Sequence, residues 1–481
     1  MCATATTVRA NYVLLQNVHT SQQDTVNNTV RVVFDLSWQN SWRTSAAPAN
    51  HDAVWVFVKY RVGTEGNWQH ATLTGGQAVS GSLLEVTGDG LGAYVSRADE
   101  GSGTANFDGL YLSWGYGADG VEDYDLISIK VYALEMVYIP EASYALGSGG
   151  DREYYPFLQV PASGDSLPYP VSSEAAITVG QAAGNLAYGR GTGGGGGDEQ
   201  GPIPADFPKG YAAFYCLKYE VSQKQYTEFF NVLTPGQMTA LDLTDAAGKN
   251  SQDVVHRNGL SYNSSNRTMF AEQPHVSLNY VSPARAWAYL DWAGLRPMTE
   301  LEFEKVARGG EAAVPDEFAW GSTKLHQTAY VLESTTLDSE SITNPGNGTG
   351  NALYLSTQPA ADPGPARVGL AASALYNKNR EEVGMGYYGV AGLSGNVAEL
   401  VVTVGDATGR AYTGLHGDGA LPESGAADVT AWPTATQGYG KRGGSHLTSW
   451  QELMTSDREH AVYSTTVGER DLGFRGVRTA E

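Results

Sequence analysis

An alternation of apolar and polar residues near the N-terminus constrains the fold more than any other feature of this sequence. Apolar residues occupy positions 32, 34, 36 and 38, and an aspartate and a serine stand among the positions between them. This period of two is typical of a strand with one buried face. Ala53–Val58 is continuously apolar, as in a strand that is covered on both faces. Glycine-rich clusters, among them Gly63–Gly66 and Gly101–Gly103, predict turns between further strands, so we expect a β-sandwich domain over residues 1–135.

The chain changes character after residue 135. Glycine, proline and serine are frequent from about residue 147 to residue 205, and we predict a flexible insertion there. Beyond it, three helices have readable starts, because Ser222 and Thr299 stand at N-caps and Ser282 precedes a proline at the first helical position. The remaining sequence is rich in glycine and turns. We therefore predict an α+β chain with a second domain over residues 136–481.

The balance of charge excludes several classes of partner. The chain has 30 Lys and Arg residues against 52 Asp and Glu residues, a formal net charge of −22. Such a charge repels phosphates, so we expect no nucleic-acid partner. The longest apolar run, Ala53–Val58, is far shorter than the roughly 18 residues that a membrane span requires. We therefore expect no membrane span.

Cysteine usage and the N-terminus bear on location. Cys2 and Cys216 are the only cysteines, which excludes a disulfide framework and a cysteine-rich zinc site. The first residues have neither a basic nor an apolar leader region, so we expect no signal peptide in this chain, and lipidation of Cys2 in a precursor stays open. Only 17% of residues are charged and 59 of 481 are glycine, against usual shares of about 25% and 7%. This composition favours an extracellular or cell-surface protein, or part of a released particle.

Five sequence motifs follow one another in the C-terminal part of the chain. They are Tyr219–Tyr226, Arg296–Glu304, Ala307–Gly310, Gly392–Leu400, and the pair Arg442–Ser445 with Gly473–Arg478. In this order and approximate spacing they resemble the formylglycine-generating enzyme, or sulfatase-modifying factor, family. Each motif alone is weak, and the five in order are specific. The resemblance covers about residues 137–481 and implies a variant of the C-type lectin fold.

The resemblance also implies where the chemistry of the family's enzymes takes place. Those enzymes oxidise a substrate cysteine with copper, which two cysteines hold in the segment after the Arg-Gly-Gly-Ser motif. Here that segment, His446–Met454, has no cysteine. Because Cu(I) requires soft thiolate ligands, we expect no formylglycine chemistry. The main hypothesis is a noncatalytic binding or structural protein, and the alternative is a metal-dependent oxidoreductase of the same superfamily with altered chemistry.

A calcium site is a second implication of the resemblance. Family members place an Asn side chain, backbone carbonyls and a Glu of the Gly-Asn-Val-x-Glu motif around Ca²⁺, a set of oxygen ligands that suits a hard cation. Asn396 and Glu399 occupy those positions here. The alternative is that Asn396 caps a turn while Glu399 pairs with an arginine such as Arg442 or Arg475.

The segment between the last two motifs is the expected ligand-binding face. In related lectin-fold proteins, including the variable proteins of diversity-generating retroelements, this segment is exposed and binds ligand. By that analogy we expect contacts from four aromatic or charged residues, His446, Trp450, Arg458 and Tyr463. Four residues of the same segment, His446, Asp457, Glu459 and His460, could also be read as an acid/base or metal set. Because no order in the sequence fixes their geometry, we interpret them as surface loop residues instead.

These observations predict a subunit of an extracellular or phage-like assembly, such as a fibre, a surface layer or a tail. Its partner is expected to be a protein or a glycan. Tyr (28) and Trp (10) together outnumber Phe (12), and their amphipathic rings suit interfaces better than a dry core. We therefore also expect self-assembly.

Overall fold

The structure is a computed structural model that describes residues 13–188, 195–335, 339–359, 363–373 and 379–481. Cys2 and Gly191–Gly194 lie outside these residues. Within them the fold is mostly β, with few and short helices. None of the described helices is long and apolar enough to cross a membrane.

Nine strands form the described N-terminal part of the chain. They are β1 (Leu14–Asp24), β2 (Thr29–Arg43), β3 (Asp52–Val62), β4 (Gln69–His70), β5 (Leu73–Gln77), β6 (Ser82–Val86), β7 (Ala93–Arg97), β8 (Gly101–Trp114) and β9 (Ile127–Ile139). Of these, β1, β2, β3, β8 and β9 are long. One sheet has the order β1-β2-β8-β5, and β9-β3-β7-β6 are neighbours in another. Alternate residues of β2 and β3 belong to one buried apolar cluster, which includes Phe34, Trp38, Val54 and Val56. This cluster is the core of the N-terminal part.

The predicted alternation in β2 is confirmed, because residues 32, 34, 36 and 38 are buried and those between them are half-exposed. The continuous apolar run of β3 is confirmed as well, since Ala53–Val58 is wholly buried. The predicted turn at Gly101–Gly103 is wrong. These glycines begin β8 and pair with the end of β2, so their neighbours in the sheet determine an extended conformation.

The N-terminal sheet continues across the predicted domain boundary. Strand β9 runs from Ile127 to Ile139 and pairs with β3 on one side along its length. On the other side its last residues pair with β14 (Phe214–Leu217) from the C-terminal part. A β-sandwich that ends as a separate domain at residue 135 therefore stays a prediction, and the described residues share one sheet across that position.

The segment predicted as a flexible insertion is partly packed. It contains β10 (Tyr144–Leu146), β11 (Leu158–Gln159), β12 (Tyr169–Val171) and β13 (Leu186–Ala187). Phe157, Tyr188 and Ile203 are buried in the main C-terminal cluster. Apolar side chains between the glycines therefore pack the described part of this segment against the rest of the chain, and its flexibility stays a prediction.

The three predicted helices are confirmed at their expected starts. They are α1 (Gln223–Phe230), α3 (Pro283–Trp292) and α4 (Glu300–Arg308), and the structure adds α2 (Pro235–Leu241), α5 (Leu370–Ser373), α6 (Ala407–Arg410) and a 3-10 helix (Gln451–Leu453). Ser222 and Thr299 form capping boxes with the residue three positions later, so both helix starts are determined locally. Helix α4 ends at Gly309, which has a φ of 67° that only glycine adopts without strain.

Short strands complete the C-terminal part. They are β15 (Leu260–Asn263), β16 (Thr268–Ala271), β17 (Arg296–Pro297), β18 (Leu332–Glu333), β19 (Ser341–Ile342), β20 (Ala398–Val402), β21 (Tyr439–Arg442), β22 (Leu472–Gly473) and β23 (Gly476–Thr479). Strands β17, β23 and β14 extend the sheet that contains β9. Strands β21, β20 and β22 form a separate sheet that holds the family-like motifs together.

Candidate functional site

The Arg-Gly-Gly-Ser motif begins at the end of β21 and continues with two glycines. Any other residue at these two positions would strain the backbone. Gly443 and Gly444 have φ values of 82° and 60°. A Cβ atom on Gly443 would lie 2.5 Å from the carbonyl oxygen of Leu393. The motif therefore directs the chain away from the sheet and into the irregular segment 445–463.

A buried ionic network connects this segment to helix α4. Arg442 donates to Glu300 at 3.0 Å and to Glu304 at 2.7 Å, and Arg458 donates to both oxygens of Glu300. All four side chains are fully buried. Although burial opposes ionisation, Arg458 and Arg442 hold the pKa of Glu300 below its usual value. The network fixes the segment to helix α4.

Two of the four residues predicted to contact a ligand, His446 and Arg458, are buried. Arg458 lies inside the ionic network and its guanidinium also contacts the Phe157 ring at 4.0 Å. His446 is fully buried, and its Nδ1 lies 2.9 Å from the carbonyl oxygen of Asn396. Burial lowers the pKa of His446 to about 4, so the ring is neutral near pH 7. Neither residue lies on an exposed face, because the segment folds back onto α4 and the Gly-Asn-Val turn.

The two predicted aromatic contacts remain half-exposed and contact different neighbours. Trp450 lines a surface cavity of about 100 Å³, where the Arg152 guanidinium lies 5.4 Å from its ring. The Tyr463 ring lies 3.9 Å from Lys441 Nζ, and its hydroxyl donates to Glu469. Ligand binding by these two side chains stays a prediction.

The predicted calcium ligands are committed to protein partners. Both carboxylate oxygens of Glu399 accept hydrogen bonds from Arg475, one of them at 2.6 Å. The Asn396 oxygen accepts from the Ala366 amide at 2.8 Å, and its nitrogen donates to Glu220 and Ser277. A dication at this position would lie against the Arg475 guanidinium in a buried site. The residues therefore do not fit calcium, and the arginine-pairing alternative describes Glu399.

The other predicted acid/base set is divided by the fold. Asp457 is buried and accepts hydrogen bonds from the backbone amides of Tyr154 and Glu459, while burial raises its pKa to about 7. Glu459 and His460 lie instead beside Glu452, a residue that the sequence analysis did not identify. The possible ligand atoms of these three residues lie within 4.8 Å of one another.

A cleft of about 520 Å³ lies between the N-terminal sheet and the C-terminal helices. Loop residues of the N-terminal part, the start of α2 and the loop after residue 417 line it. Its polar or aromatic lining includes Asn67, Trp68, Gln69, Asp119, Thr234, Gln237, Trp292, Asp418 and Glu423. Arg61 and Lys130 lie 5.0 and 4.9 Å from the Trp68 ring and hold it in place. The cleft has the size of an ordinary small-ligand pocket, roughly 300–1,000 Å³.

Lys59 forms the floor of this cleft. Its buried ammonium lies 2.8 Å from the carbonyl oxygen of Trp292 and 2.9 Å from His70 Nδ1, and it also contacts the carbonyl oxygen of Gly419. Burial lowers the pKa of Lys59, and the nearby Asp291 carboxylate opposes that shift. Three acceptors around one ammonium make Lys59 a cross-link between β3, the end of α3 and the C-terminal loop.

No local pattern in the sequence predicts the cleft. Its residues come from five separate parts of the chain, and only their packing brings them together. Glu452, Glu459 and His460, hereafter the Glu452 cluster, have a partial signal in the sequence, because Glu459 and His460 are adjacent.

The match of a family model agrees with the C-terminal motifs. A family model described as "Sulfatase-modifying factor enzyme 1-like domain" matches residues 166–480. Among solved structures, the chain is similar to Treponema denticola variable protein 1, with 14% sequence identity and a TM-score of 0.36, over 73% of this chain and 96% of that one. A comparison with curated proteins found no match. Residues 1–165 lie outside the family match.

Proposed function

We propose, from the premise that the chain belongs to the sulfatase-modifying factor enzyme 1-like family, that it is a noncatalytic binding protein that recognises a neutral glycan. The copper-binding segment of the family's enzymes corresponds here to His446–Met454, which has no cysteine. The one cysteine within the family match, Cys216, is buried in β14, where burial raises the pKa of its thiol to about 12. A thiol of this kind does not ionise near neutral pH and is a poor copper ligand.

The cleft between the N-terminal sheet and the C-terminal helices is the observation that carries the proposal. Asn67 and Gln69 are exposed at its edge. Gln69 Oε1 accepts from the Tyr60 hydroxyl at 3.0 Å, which orients the amide and leaves its NH₂ group toward solvent. Amides and carboxylates around an indole ring suit the hydroxyl groups and the apolar C–H faces of a sugar.

The charge of the cleft favours a neutral ligand. Asp119, Asp418 and Glu423 line it, and the whole chain has a net charge of −22. The Lys59 ammonium is occupied by three protein acceptors and offers little attraction to an anion. Phosphorylated or sulfated ligands are therefore disfavoured.

The proposed setting is an extracellular or cell-surface assembly, or a released particle such as a phage-like tail. Its support is the low share of charged residues, 17%, and the abundance of tyrosine and tryptophan. Self-association of the chain belongs to the same proposal. A metal-dependent enzyme of altered chemistry is the second candidate, and the Glu452 cluster is the observation that favours it.

A binding experiment with two matched tryptophan variants tests the glycan proposal. The purified chain is screened against neutral and acidic oligosaccharides, and the affinity of the retained sugars is measured by calorimetry. Trp68→Ala is expected to weaken binding by about 30-fold or more, as truncation of a central aromatic contact does. Trp450→Ala is the matched control, because Trp450 lies outside the cleft and is also half-exposed.

Two outcomes contradict the proposal. Loss of binding in Trp450→Ala with full binding in Trp68→Ala moves the ligand face to segment 445–463. Retention of acidic sugars alone, or of no sugar, removes the neutral glycan as ligand and leaves a protein partner as the explanation to pursue.

A further inference from the structure

Three side chains with metal-binding atoms converge beside segment 445–463. Glu452 lies in the 3-10 helix, and Glu459 and His460 lie in the turn that follows. One carboxylate oxygen from each glutamate and one imidazole nitrogen lie within 4.8 Å of one another. All three residues are half-exposed, so an ion can reach them from solvent.

The protein does not otherwise use these groups. His460 Nε2 lies 3.4 Å from Glu452 Oε2, and the pair does not form a hydrogen bond. Among the described residues, the Glu459 carboxylate has no hydrogen-bond donor. Two ionised carboxylates this close repel each other unless a cation lies between them.

We propose that Glu452, Glu459 and His460 bind a first-row divalent transition metal, for which Zn²⁺ is the probe. Ligand bonds of about 2.0–2.2 Å in a tetrahedral site place neighbouring ligand atoms about 3.3–3.6 Å apart. The separation between His460 and Glu452 already matches this value. The separations between the other ligand atoms are at most 4.8 Å, and small side-chain rotations, which half-exposed groups make at little cost, shorten them to this value. An imidazole with two carboxylates favours zinc-like metals over Ca²⁺ and Mg²⁺, which prefer oxygen alone.

The backbone around the cluster is fixed before an ion binds. The Glu459 amide donates to Asp457 at 3.1 Å, and the His460 carbonyl oxygen accepts from the Lys441 amide at 2.9 Å. The His460 ring lies edge-on to Tyr463 with 5.9 Å between ring centroids. These contacts restrict the orientation of two ligands, which lowers the entropic cost of binding.

The neighbouring cations are neutralised by their own partners. Lys441 lies 3.3 Å from Glu469, and Arg442 is paired with Glu300 and Glu304. Arg442 and His460 both line a cavity of about 10 Å³, on the order of the space that one water needs. Arg442 Nε is buried and has no acceptor among the described residues. A hydroxide in the fourth position of the metal is an acceptor of the kind that this nitrogen lacks.

The proposal goes beyond glycan recognition and is independent of it, since none of its residues lines the cleft. The experiment titrates the chelator-treated full chain with ZnCl₂ by calorimetry, with the melting temperature as a second readout. One saturable Zn²⁺ site is expected, and Zn²⁺ is expected to raise the melting temperature because it binds only the folded chain. His460→Ala is expected to reduce affinity by more than the roughly 10- to 100-fold that loss of an outer-shell partner costs.

Glu452→Gln keeps the shape of the side chain and is expected to weaken Zn²⁺ binding without altering the circular dichroism spectrum. His19→Ala removes an exposed histidine elsewhere and is expected to bind Zn²⁺ like the wild type. The absence of saturable Zn²⁺ binding would overturn the proposal and leave a simple ion pair between His460 and Glu452. Equal affinity in wild type and His460→Ala, or stronger binding of Ca²⁺ than of Zn²⁺, would overturn it as well.

Discussion

Replacement of Glu399 by Gln separates the two functions that this residue can have, as a calcium ligand or as the partner of Arg475. Glu399 and Arg475 are both buried, and the two side chains form a bidentate pair. Glu399 holds the pKa of Arg475 above its usual value even though burial opposes its charge. The variant keeps the volume of the side chain and removes its charge, so Arg475 becomes a buried and uncompensated cation.

The expected loss of stability follows from the surroundings of Arg475. Breaking a buried pair by removing one partner costs about 3–5 kcal/mol. Arg475 also donates to the carbonyl oxygens of Leu217, Lys218 and Ala391, at 3.1, 3.3 and 2.8 Å. These dipoles partly stabilise the cation, so we expect the lower end, about 3 kcal/mol. A loss of 1 kcal/mol lowers the melting temperature of a mid-sized domain by about 2–4 °C, which gives a decrease of roughly 10 °C.

The assay is thermal and urea unfolding of wild type and variant, with and without EDTA. Each protein is first freed of transition metals with a chelator and returned to a buffer that contains CaCl₂ and no Zn²⁺, so that EDTA reports on calcium alone. EDTA is expected to leave the wild-type melting temperature unchanged, and Glu399→Gln is expected to lower it equally in both buffers. Glu228→Gln is the matched control, because its pair with Lys224 is half-exposed, links residues four apart on one helix and is worth only about 0.3–0.5 kcal/mol. If EDTA alone destabilises the wild type and adds nothing to the variant, Glu399 is a calcium ligand and the reasoning is refuted.

Three further predictions concern pH and proteolysis. Burial raises the pKa of Glu153 from 4.5 to about 8, so its contribution to stability is lost as pH rises through that range. In urea titrations at pH 5 and 9, the wild type is expected to lose on the order of 1–3 kcal/mol more stability between the two pH values than Glu153→Gln does. An unchanged pH profile in the variant would contradict this prediction. Burial lowers the pKa of His446 to about 4, so the free energy of unfolding is expected to fall as pH decreases from 6.5 to 4. His446→Gln is expected to flatten this decrease in urea titrations over the same pH range. An equally steep decrease in the variant would argue against the prediction. Limited proteolysis is expected to cut first within Gly191–Gly197 rather than at residues 133–138, where β9 pairs with β3 and, from Met136, also with β14. Mass spectrometry that finds the first cut within residues 30–130 would contradict this organisation.

Elements with local signals were predictable from the sequence. The capping boxes at Ser222 and Thr299 determine helix starts through contacts within four residues, and the alternation in β2 reports which face is buried. The turn predicted at Gly101–Gly103 failed because pairing with β2 outweighs the preference of glycine for turns.

The site was less predictable because burial in an irregular segment depends on distant residues. Nothing near Arg458 in the sequence indicates that Glu300, 158 positions away, encloses it. His446 is likewise buried by the turn that contains Asn396. The sequence indicated Glu459 and His460 as possible ligands, but their third partner, Glu452, is brought to them by the 3-10 helix and the turn after it.

The central claim is that the chain keeps the fold of its family without the family's oxidation of cysteine. The most direct measurement incubates the purified chain with a cysteine-containing peptide, copper and oxygen, and follows the peptide by mass spectrometry. The account predicts that the cysteine stays unmodified, because segment His446–Met454 offers no thiolate and Cys216 is buried. Conversion of the cysteine to an aldehyde would contradict it.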